Sequence, residues 1–333
     1  MNAARIETLI LPRAYVASRV PPAAYFDAVE SAFLALARGE LETPAVGHVP
    51  GAGGAMHIKT AAERCGARLA VIKVNANFPE NPALRGLPTI QGFIALFDAE
   101  CGALLALIDS IEITARRTAA ASALAARHLA RADACVLALI GCGVQARCHI
   151  DALAERYAFA EVRCHDRERS RAEALADTIR RRGLVVRVCD SVASATHDAS
   201  IIVTTTPSTR PVLADGDVAP GTFVAAVGAD NPSKQELEVE LLRCARVVPD
   251  VLAQAVAMGD LRAAVAAGAL RADDIHAELA DLVSRRIAGR TRDDERFVFD
   301  STGTAIEDLA AARAVYAIAL ADPAAPRVAL GAA

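Results

Sequence analysis

The pattern of hydrophobic and polar residues differs between the first and the second part of the chain. Between residues 22 and 38, apolar residues recur every three or four positions, which predicts an amphipathic helix. Short alternating or apolar runs then follow, separated by Gly, Pro and Asn, in the segments AMHIKTA, LAVIKVNA, TIQGFIALFD and ALLALID. These runs predict the strands of an antiparallel or mixed sheet.

The second pattern begins after a long predicted helix, EITARRTAAASALAARHLA. From there β-rich runs alternate mostly with helical patterns, which is typical of a doubly wound parallel sheet. The predicted strands cover residues 136–141, 161–166, 184–190, 199–206, 222–230 and 245–250.

This change in the hydrophobic pattern predicts an α/β protein with two domains. Residues 116–304 are expected to form a Rossmann-type dinucleotide-binding domain with a doubly wound parallel sheet. Residues 1–115 are expected to form a smaller α+β domain for substrate binding and dimerisation. A predicted terminal helix, Ala305–Leu320, is assigned with residues 305–333 to this smaller domain.

Composition narrows the classes of partner. The formal net charge is -4 and the pI is about 6.0, which argues against an electrostatic footprint for nucleic acid or anionic lipid. No segment reaches the ~18 apolar residues of a membrane span, and the N-terminus lacks the pattern of a signal peptide. We therefore expect a cytoplasmic protein with a small-molecule partner.

The eight cysteines never form C-x-x-C pairs, and several lie in apolar segments, as Cys135, Cys164 and Cys189 do. This pattern predicts buried thiols in a reducing compartment. Neither paired cysteines nor an H-E-x-x-H sequence is present, so the sequence predicts no metal site.

The segment LALIGCGVQA reads as a strand, a tight turn and the start of a helix. Gly141, Gly143 and Ala146 occupy the G-x-G-x-x-[GA] frame, and Val144 and Gln145 begin the helix. The first glycine permits the turn, the second lets the backbone approach a pyrophosphate, and the third small residue allows close helix packing. The helix N-terminus favours a bound phosphate. This context predicts a dinucleotide site.

The next predicted strand ends at Asp166, 25 residues after Gly141. A carboxylate there accepts hydrogen bonds from the adenosine ribose, which favours NAD over NADP. Arg167 follows directly and offers the alternative of contacting a 2′-phosphate, so NADP remains possible. Asp166 has a purely structural alternative as the N-cap of the helix that follows.

Lysine is scarce in this chain. Of its 36 basic residues only Lys59, Lys73 and Lys234 are lysines, and Lys73 interrupts the apolar strand LAVIKVNA. A compositional bias of the genome explains the scarcity equally well. Lys73 is therefore a candidate functional residue or a strand-edge lysine whose ammonium reaches water.

The ordered segments LPTIQGFIALFD, EITARRTAAASALAARHL, LIGCGVQAR, VGADNPSKQEL and FDSTGTAIEDLAAA resemble the ornithine cyclodeaminase and mu-crystallin family. The resemblance covers most of the chain from about Lys73 to Ala311. It implies a homodimer whose first domain supplies a shared β-barrel-like interface and the substrate pocket. It also implies a Rossmann domain that presents nicotinamide to a small amino or imino acid.

Carried over residue by residue, the resemblance assigns Lys73 and Asp230 as catalytic residues, with Lys73 beside the substrate carboxylate and Asp230 as the acid–base group. Arg117 looks like a carboxylate clamp. The expected cofactor contacts outside the glycine motif are Thr89, Thr118, Thr205 and Ser301.

Plainer interpretations of these residues stay open. Arg117 also fits a helix-surface arginine, and Asp230 fits a residue that organises its loop through an Asx-turn. The DSTG segment, residues 300–303, also fits a helix-capping loop.

One departure from the family concerns the substrate. Family members commonly carry an arginine shortly after a proline in this region, and none lies between Pro44 and Lys59. Lys59, and less readily His57, is the candidate replacement, because residues 57 and 59 of a strand share a face. A structural role is the preferred interpretation for His57. The missing arginine puts ornithine in doubt as the substrate.

These observations predict an NAD(H)-dependent enzyme acting on a small α-amino or α-imino acid, with conversion of L-ornithine to L-proline and ammonia as the most specific form. An imino acid (ketimine) reductase or amino acid dehydrogenase of the same family is one alternative. A non-catalytic mu-crystallin-like protein that binds NAD(P)H is the other.

Overall fold

A computed structural model describes residues 7–42 and 44–330 of the chain. Its strands, in chain order, are β1 (Thr8–Leu11), β2 (Ala45–Gly51), β3 (Gly54–Ala62), β4 (Leu69–Asn77), β5 (Ile90–Asp98), β6 (Leu104–Asp109), β7 (Val136–Ile140), β8 (Glu161–His165), β9 (Val186–Val188), β10 (Ile201–Thr204), β11 (Phe223–Ala226), β12 (Arg246–Pro249), β13 (Phe297–Asp300) and β14 (Arg327–Val328).

The α-helices, in chain order, are α1 (Arg13–Arg19), α2 (Pro22–Ala37), α3 (Asn81–Arg85), α4 (Ser110–Leu129), α5 (Val144–Ala154), α6 (Arg169–Arg180), α7 (Val192–Thr196), α8 (Val239–Cys244), α9 (Leu252–Met258), α10 (Leu261–Ala266), α11 (Leu279–Val283) and α12 (Ala305–Leu320). Among the described helices none is long and apolar enough to cross a membrane.

The chain divides into two compact units. One comprises Met1–Arg117 together with Thr304–Ala333, and the other comprises Thr118–Gly303. The first unit is therefore discontinuous in sequence, whereas the second is a single stretch of chain.

The sheet of the first unit is mixed. Its strand order is β14-β1-β6-β5-β4-β3-β2, in which β1 and β6 run parallel and the other neighbours are antiparallel. Helix α12 packs against β3, β4 and β5, and also against α2. Residues 305–312 of α12 are all buried, as expected for a helix that is apolar around most of its circumference.

The sheet of the second unit is entirely parallel, with the order β12-β13-β11-β10-β7-β8-β9. Every residue of β10, β11 and β13 is buried, as expected for strands covered on both faces. The order reverses between β7 and β10, and ligands of such sheets bind at the carboxyl ends of the strands beside this reversal.

The predicted α/β fold with a Rossmann-type doubly wound parallel sheet and a smaller α+β part is confirmed. The predicted helix at residues 22–38 is observed as Pro22–Ala37, and the terminal helix has its predicted bounds. Four of the described strands were missed, namely β1, β2, β13 and β14. β1 has four residues and β14 has two. β2 alternates Gly and Pro with Val and so lacks a strand composition, and β13 has only four residues.

The prediction that the cysteines are buried is wrong for half of them. Cys164 and Cys189 are buried, but Cys135 is exposed because it lies just before the start of β7 rather than within it. Exposed thiols are also found at positions 65, 101 and 244, and all eight cysteines are free.

Candidate functional site

Two lysines lie directly opposite each other in the sheet of the first unit. Lys59 of β3 pairs in register with Lys73 of β4, and Ile94 of β5 completes the row. Both lysines are at least nine-tenths buried, with exposures of 9% and 3%. Lys73 is therefore not a strand-edge lysine with its ammonium in water. Like charges at directly opposed positions are unfavourable, so this pair requires anions nearby.

Two carboxylates of α12 supply part of the compensating charge. Lys73 forms an ion pair with Asp308, and Arg117 donates from Nε to Asp308 at 2.9 Å and from Nη1 to Glu307 at 2.9 Å. Arg117 is 3% exposed, and both carboxylates are fully buried. The interpretation of Arg117 as a helix-surface residue is therefore wrong.

The ionic cluster of Lys59, Lys73, Arg117, Glu307 and Asp308 thus holds three basic side chains and two acidic ones. Fully ionised, it carries one excess positive charge in a buried setting. Buried charge is costly, and a bound carboxylate would balance the summed charge of these five side chains. This cluster can therefore bind a small organic anion.

Burial lowers the pKa of Lys73, Asp308 opposes this effect, and the charges of Arg117 and Lys59 add to it, so that the resulting pKa is about 7. Burial would raise the pKa of Asp308, but Arg117 and Lys73 lower it below its ordinary value. Burial acts against the charge of Arg117 as well, yet its two carboxylate partners raise the pKa of the guanidinium. Lys73 is therefore the member of the ionic cluster whose charge changes near neutral pH.

The sequence analysis did not assign a role to Glu307 or Asp308. A signal was available, because two adjacent acidic residues interrupt the otherwise apolar segment AIEDLAAA, which forms the buried first part of α12. Buried acidic residues require basic partners, and Lys73 and Arg117 were already candidates.

A row of polar side chains follows the lysine row on the same face of the sheet. His57 of β3 pairs in register with His48 of β2 and with Asn75 of β4, two residues along from Lys59 and Lys73. The two imidazole rings are 5.3 Å apart in an edge-to-face arrangement. The predicted sharing of a face by residues 57 and 59 is observed.

Ser110 orients the Asn75 carboxamide of this row. The Ser110 hydroxyl, which is fully buried, donates to Asn75 Oδ1 at 2.5 Å. Gly92 lies beside them, and a Cβ at Gly92 would approach Ser110 Oγ to 2.8 Å. The absence of a side chain at Gly92 therefore makes room for this hydrogen bond.

In the second unit, the glycine turn follows β7 at the point where the strand order reverses. Gly141 has a φ of 89°, and a Cβ there would lie 3.0 Å from the Thr205 carbonyl oxygen, so both the conformation and the available space require glycine. Thr205 closes the turn because its hydroxyl donates to the Gly141 carbonyl at 3.0 Å. The structure thus brings Gly141 and Thr205 together.

The presence of glycine at position 143 has a different reason from that at position 141. Its φ is -84°, and a Cβ built on it would meet no atom of the described chain within 4 Å. As the N-cap of α5 it provides no side-chain acceptor for the amides of the first turn. Open space and a helix N-terminus without a side-chain cap suit a closely approaching phosphate.

The residues after Gly143 form the first turn of α5. Val144 is exposed, whereas Ala146 is fully buried, so the third small residue of the motif allows close packing of α5. Gln145 has a buried side-chain oxygen without a hydrogen-bond partner in the described chain. Its carbonyl oxygen lies 2.8 Å from Nδ1 of the buried His149.

Asp166 links the turn to the following strand. Its Oδ2 accepts from the Cys142 amide at 2.8 Å, and its Oδ1 accepts from the Glu168 amide at 2.9 Å. These bonds use two of the roughly four lone-pair sites of a carboxylate, so further acceptor capacity remains for ribose hydroxyls. Arg167 is exposed. The alternative of Asp166 as the N-cap of α6 is wrong, because Glu168 is the N-cap residue.

Asp230 lies four residues after the end of β11 and is exposed. Its Oδ1 forms an ion pair with Lys234 at 2.7 Å and accepts from the Asn231 amide group at 3.2 Å. Both contacts are made with side chains, whereas the backbone contact typical of an Asx-turn in this loop is made by Asn231, whose Oδ1 accepts from the Ser233 amide at 3.0 Å. The contacts of Asp230 hold its carboxylate in one position.

The remaining candidates lie apart from the glycine turn in sequence. Ser301 follows β13, and its buried hydroxyl has no hydrogen-bond partner in the described chain. Thr118 is buried on α4. Thr89 belongs to the first unit, where its carbonyl oxygen accepts from the Phe78 amide at 2.8 Å.

The chain is similar in sequence to a known protein family and to characterised members of it. The model of the ornithine cyclodeaminase/mu-crystallin family matches residues 6–322. The chain is 36% identical to the alanine dehydrogenase of Archaeoglobus fulgidus over 315 residues, which cover 95% of this chain and 96% of that protein.

Solved structures resemble it along nearly its whole length. An archaeal alanine dehydrogenase dimer with bound NAD has a TM-score of 0.92 and 35% identity, covering 97% of this chain and 99% of that one. The Δ1-pyrroline-2-carboxylate reductase of Thermococcus litoralis, in complex with NADH and L-proline, has a TM-score of 0.90 and 30% identity, covering 94% and 98%.

Proposed function

The chain belongs to the ornithine cyclodeaminase/mu-crystallin family, and from this premise we propose that it is an NAD(H)-dependent oxidoreductase that interconverts a small α-imino acid and the corresponding α-amino acid. The observation that carries the proposal is the buried ionic cluster with one more basic than acidic side chain. Similarity to an alanine dehydrogenase and to a pyrroline-carboxylate reductase supports the same reaction class.

The residues of the glycine turn fit a nicotinamide dinucleotide. The open space at Gly143 and the first amides of α5 would receive the pyrophosphate, and Asp166 would accept from the adenosine ribose. When bound, the cofactor supplies the hydride donor and acceptor. Because a carboxylate at Asp166 would repel a 2′-phosphate, we propose that NAD is preferred to NADP, with Arg167 as the residue that would support NADP instead.

In this proposal the protein's own groups position the substrate and move its proton. Lys73 and Lys59 hold the α-carboxylate, with Arg117 kept in place by Glu307 and Asp308. In the reductive direction a hydride adds to the α-carbon, the π electrons of the C=N bond move to nitrogen, and nitrogen takes up one proton. Asp230 donates that proton, and it removes one from the amine in the oxidative direction.

Conversion of L-ornithine to L-proline and ammonia is the narrower form of the proposal. It uses the same oxidation, followed by attack of the substrate's distal amine on the imine, loss of ammonia and return of the hydride. Release of ammonia together with proline distinguishes it from simple dehydrogenation or reduction. A non-catalytic dinucleotide-binding protein would give neither product.

The test is steady-state turnover of NADH with imino acids, and of NAD with amino acids, while ammonia is measured in parallel. We expect Asp230→Asn to lower kcat by roughly 10² to 10⁴ while a non-reacting amino acid analogue still binds. Lys73→Met should instead weaken analogue binding by about one to two orders of magnitude.

A matched control is Asp217→Asn, which changes a second-unit carboxylate that accepts from the Ala214 amide and has no role in the proposed reaction, and it should leave kcat unchanged. Absence of turnover with every substrate, with intact NAD binding, would favour the non-catalytic alternative. Unchanged hydride transfer in Asp230→Asn would remove that residue from the proton-transfer step.

A further inference from the structure

The surroundings of Lys73 favour an amine without its extra proton. Lys59 lies directly opposite on the neighbouring strand, where opposed Cβ atoms are about 4.5 to 5.5 Å apart, so two ammonium groups would repel each other. Both lysines are at least nine-tenths buried, and burial disfavours the charged form of an amine. A lysine that lies next to another cationic group in such a setting is activated as a nucleophile.

The remaining charges of the ionic cluster do not reverse this preference. Arg117 is a third cation, and it shares the Asp308 carboxylate with Lys73. Burial, the ion pair with Asp308 and the charges of Arg117 and Lys59 together give Lys73 a pKa of about 7. About half of the molecules therefore carry a neutral amine at Lys73 at pH 7, whereas an ordinary lysine is almost wholly protonated there.

The proposed reaction supplies a carbonyl compound for this amine. An acyclic α-imino acid exchanges with water to give the 2-oxo acid and ammonia, so a 2-oxo acid accompanies every acyclic substrate of this class. Its carbonyl carbon is bonded directly to the α-carboxylate that the ionic cluster would bind. A carboxylate held at Lys59 therefore brings that carbon to the lysine directly opposite.

We propose that Lys73, activated by the opposed Lys59, forms a Schiff base with a 2-oxo acid, and that this reversible adduct inhibits turnover. The inference rests on the proposed function, which brings a compound of this class to the ionic cluster. The adduct occupies the amine and the carboxylate site at once, so a substrate molecule cannot bind there until the adduct is hydrolysed.

Formation of the adduct is a condensation that releases one water molecule. The neutral Nζ attacks the carbonyl carbon, the π electrons of the C=O bond move to oxygen, and one N–H proton is transferred to that oxygen. The nitrogen lone pair then expels the hydroxyl group, which takes up one proton and leaves as water, and a protonated C=N bond remains. Asp308 is ion-paired with Lys73 and is therefore placed to transfer these protons. No oxidant or reductant is consumed.

Reductive trapping tests the adduct. The unmodified protein is incubated, without nicotinamide dinucleotide, in pyruvate and sodium cyanoborohydride, which reduces the protonated C=N bond to a stable secondary amine. Peptide mass spectrometry then locates the modified residue among the three lysines of the chain. Lys234 is the internal control, because its side chain is 18% exposed against 4% for Lys73, so that modification governed by access alone would favour Lys234.

We expect Lys73 to be modified at least tenfold faster than Lys234 at pH 7, because the neutral amine is the reacting form. The rate at Lys73 should rise by about tenfold per pH unit below pH 7 and level off above it. Preincubation with pyruvate should lower the initial rate of turnover in the unmodified protein and not in Lys73→Arg, whose guanidinium stays protonated.

Two variants of Lys59 separate its charge from its amine. Lys59→Met and Lys59→Arg both remove the second amine, but only Lys59→Met removes the neighbouring charge. We expect the rate of modification of Lys73 at pH 7 to be at least threefold lower in Lys59→Met than in Lys59→Arg. Thermal unfolding of both variants checks that they are folded.

Modification of Lys73 no faster than that of Lys234, a rate independent of pH between 6 and 8, or equal rates in the two Lys59 variants would overturn this proposal. Turnover of imino acids would in that case leave the oxidoreductase function intact. An adduct at Lys73 in a protein that turns over none of the substrates would support the Schiff base and count against the oxidoreductase function.

Discussion

At the scale of single residues, the opposed lysines of β3 and β4 are the most informative feature of the chain. Arginine would keep its charge in any such setting because its pKa exceeds 12, whereas a buried lysine loses its proton far more readily. The choice of lysine at positions 59 and 73, in a chain that otherwise uses arginine almost throughout, therefore makes the charge of the cluster sensitive to pH.

This sensitivity predicts the pH dependence of substrate binding. The pKa of Lys73 is about 7, so above that pH the ammonium loses its proton and its attraction for a carboxylate. We expect KM for any carboxylate substrate to rise with pH above about 7, approaching tenfold per pH unit while other groups stay unchanged. KM measured between pH 6 and 9 tests this, and a flat profile would contradict it.

The control variant is Lys73→Arg, which keeps the positive charge over the whole pH range and should flatten the profile of KM against pH.

The effect of pH on folding stability should be opposite to its effect on substrate binding. The unfolded chain holds the Lys73 proton up to its ordinary pKa of 10.5, so between about 7 and that value the unfolded state binds more protons. The contribution of Lys73 to the free energy of unfolding therefore increases with pH through that window.

Functional residues could be predicted from the sequence where an unusual residue type also lay at a position that matched the family. Lys73 and Arg117 were identified from the sequence, and both lie in the ionic cluster. Their acidic partners interrupt an apolar segment, but the contact between Arg117 and Asp308 spans 191 positions, so the local pattern does not show which basic residues they meet. The same holds for Asn75, whose orientation depends on Ser110 in another element.

At the scale of elements, one buried glutamate connects the strand ends and loops at the carboxyl edge of the parallel sheet. Glu236 accepts from the Thr204 hydroxyl at 2.7 Å, from the Thr206 amide at 2.5 Å and from the Gly228 amide at 2.6 Å. Its own amide donates to Asp260 at 2.7 Å. Glu236 thus fixes both ends of the loop that carries Asp230.

Replacing Glu236 with Gln should loosen this loop. Burial raises the pKa of Glu236, but all three of its partners are donors, and an amide nitrogen in place of one oxygen would face a donor instead of accepting from it. We expect a loss of about 1 to 3 kcal/mol of folding free energy and a lower kcat with little change in KM. Thermal unfolding and steady-state kinetics measure the two effects.

Glu240→Gln serves as the matched control, since Glu240 is exposed and its Arg243 partner is also exposed, so its removal should cost little. Should Glu236→Gln unfold at the temperature of the unmodified protein and retain its kcat, the anchoring role of Glu236 would be refuted.

Elements were predictable in proportion to their length and regularity. The bounds of α12 follow from its composition, and the alternating strands and helices of the second unit gave the parallel sheet. β13 has four residues, and its place between β11 and β12 is set by pairing with strands far away in sequence. Likewise β2 is held in its sheet by its register with β3 rather than by its own residues.

At the scale of the whole molecule, the sheet of the first unit presents an apolar surface on the side opposite to Lys73. Ile72 is 40% exposed and Phe93 is 44% exposed, and both lie on this outer face together with the partly buried Val74. Exposed apolar side chains clustered on one sheet face are typical of protein interfaces.

We therefore expect the protein to form a homodimer through this outer face. Phe93→Asp would place a charge at the contact and should shift the protein to a monomer, as measured by sedimentation velocity or light scattering. The control is Val185→Asp, which changes a more exposed apolar residue of the second unit, at 66% exposure, and should leave the dimer intact. A monomeric unmodified protein, or a dimeric Phe93→Asp, would exclude this interface.

The return of α12 to the first unit also sets an order of events during synthesis. On the ribosome, β3 and β4 emerge with their cations long before Glu307 and Asp308, and 191 residues separate Arg117 from Asp308. At bacterial or eukaryotic translation rates this delay is roughly 10 to 40 s. The second unit is continuous in sequence and is fully made within that interval, so it can fold while the first unit still lacks the helix that neutralises its buried charges. The part of the protein that is synthesised first is therefore the part that is completed last.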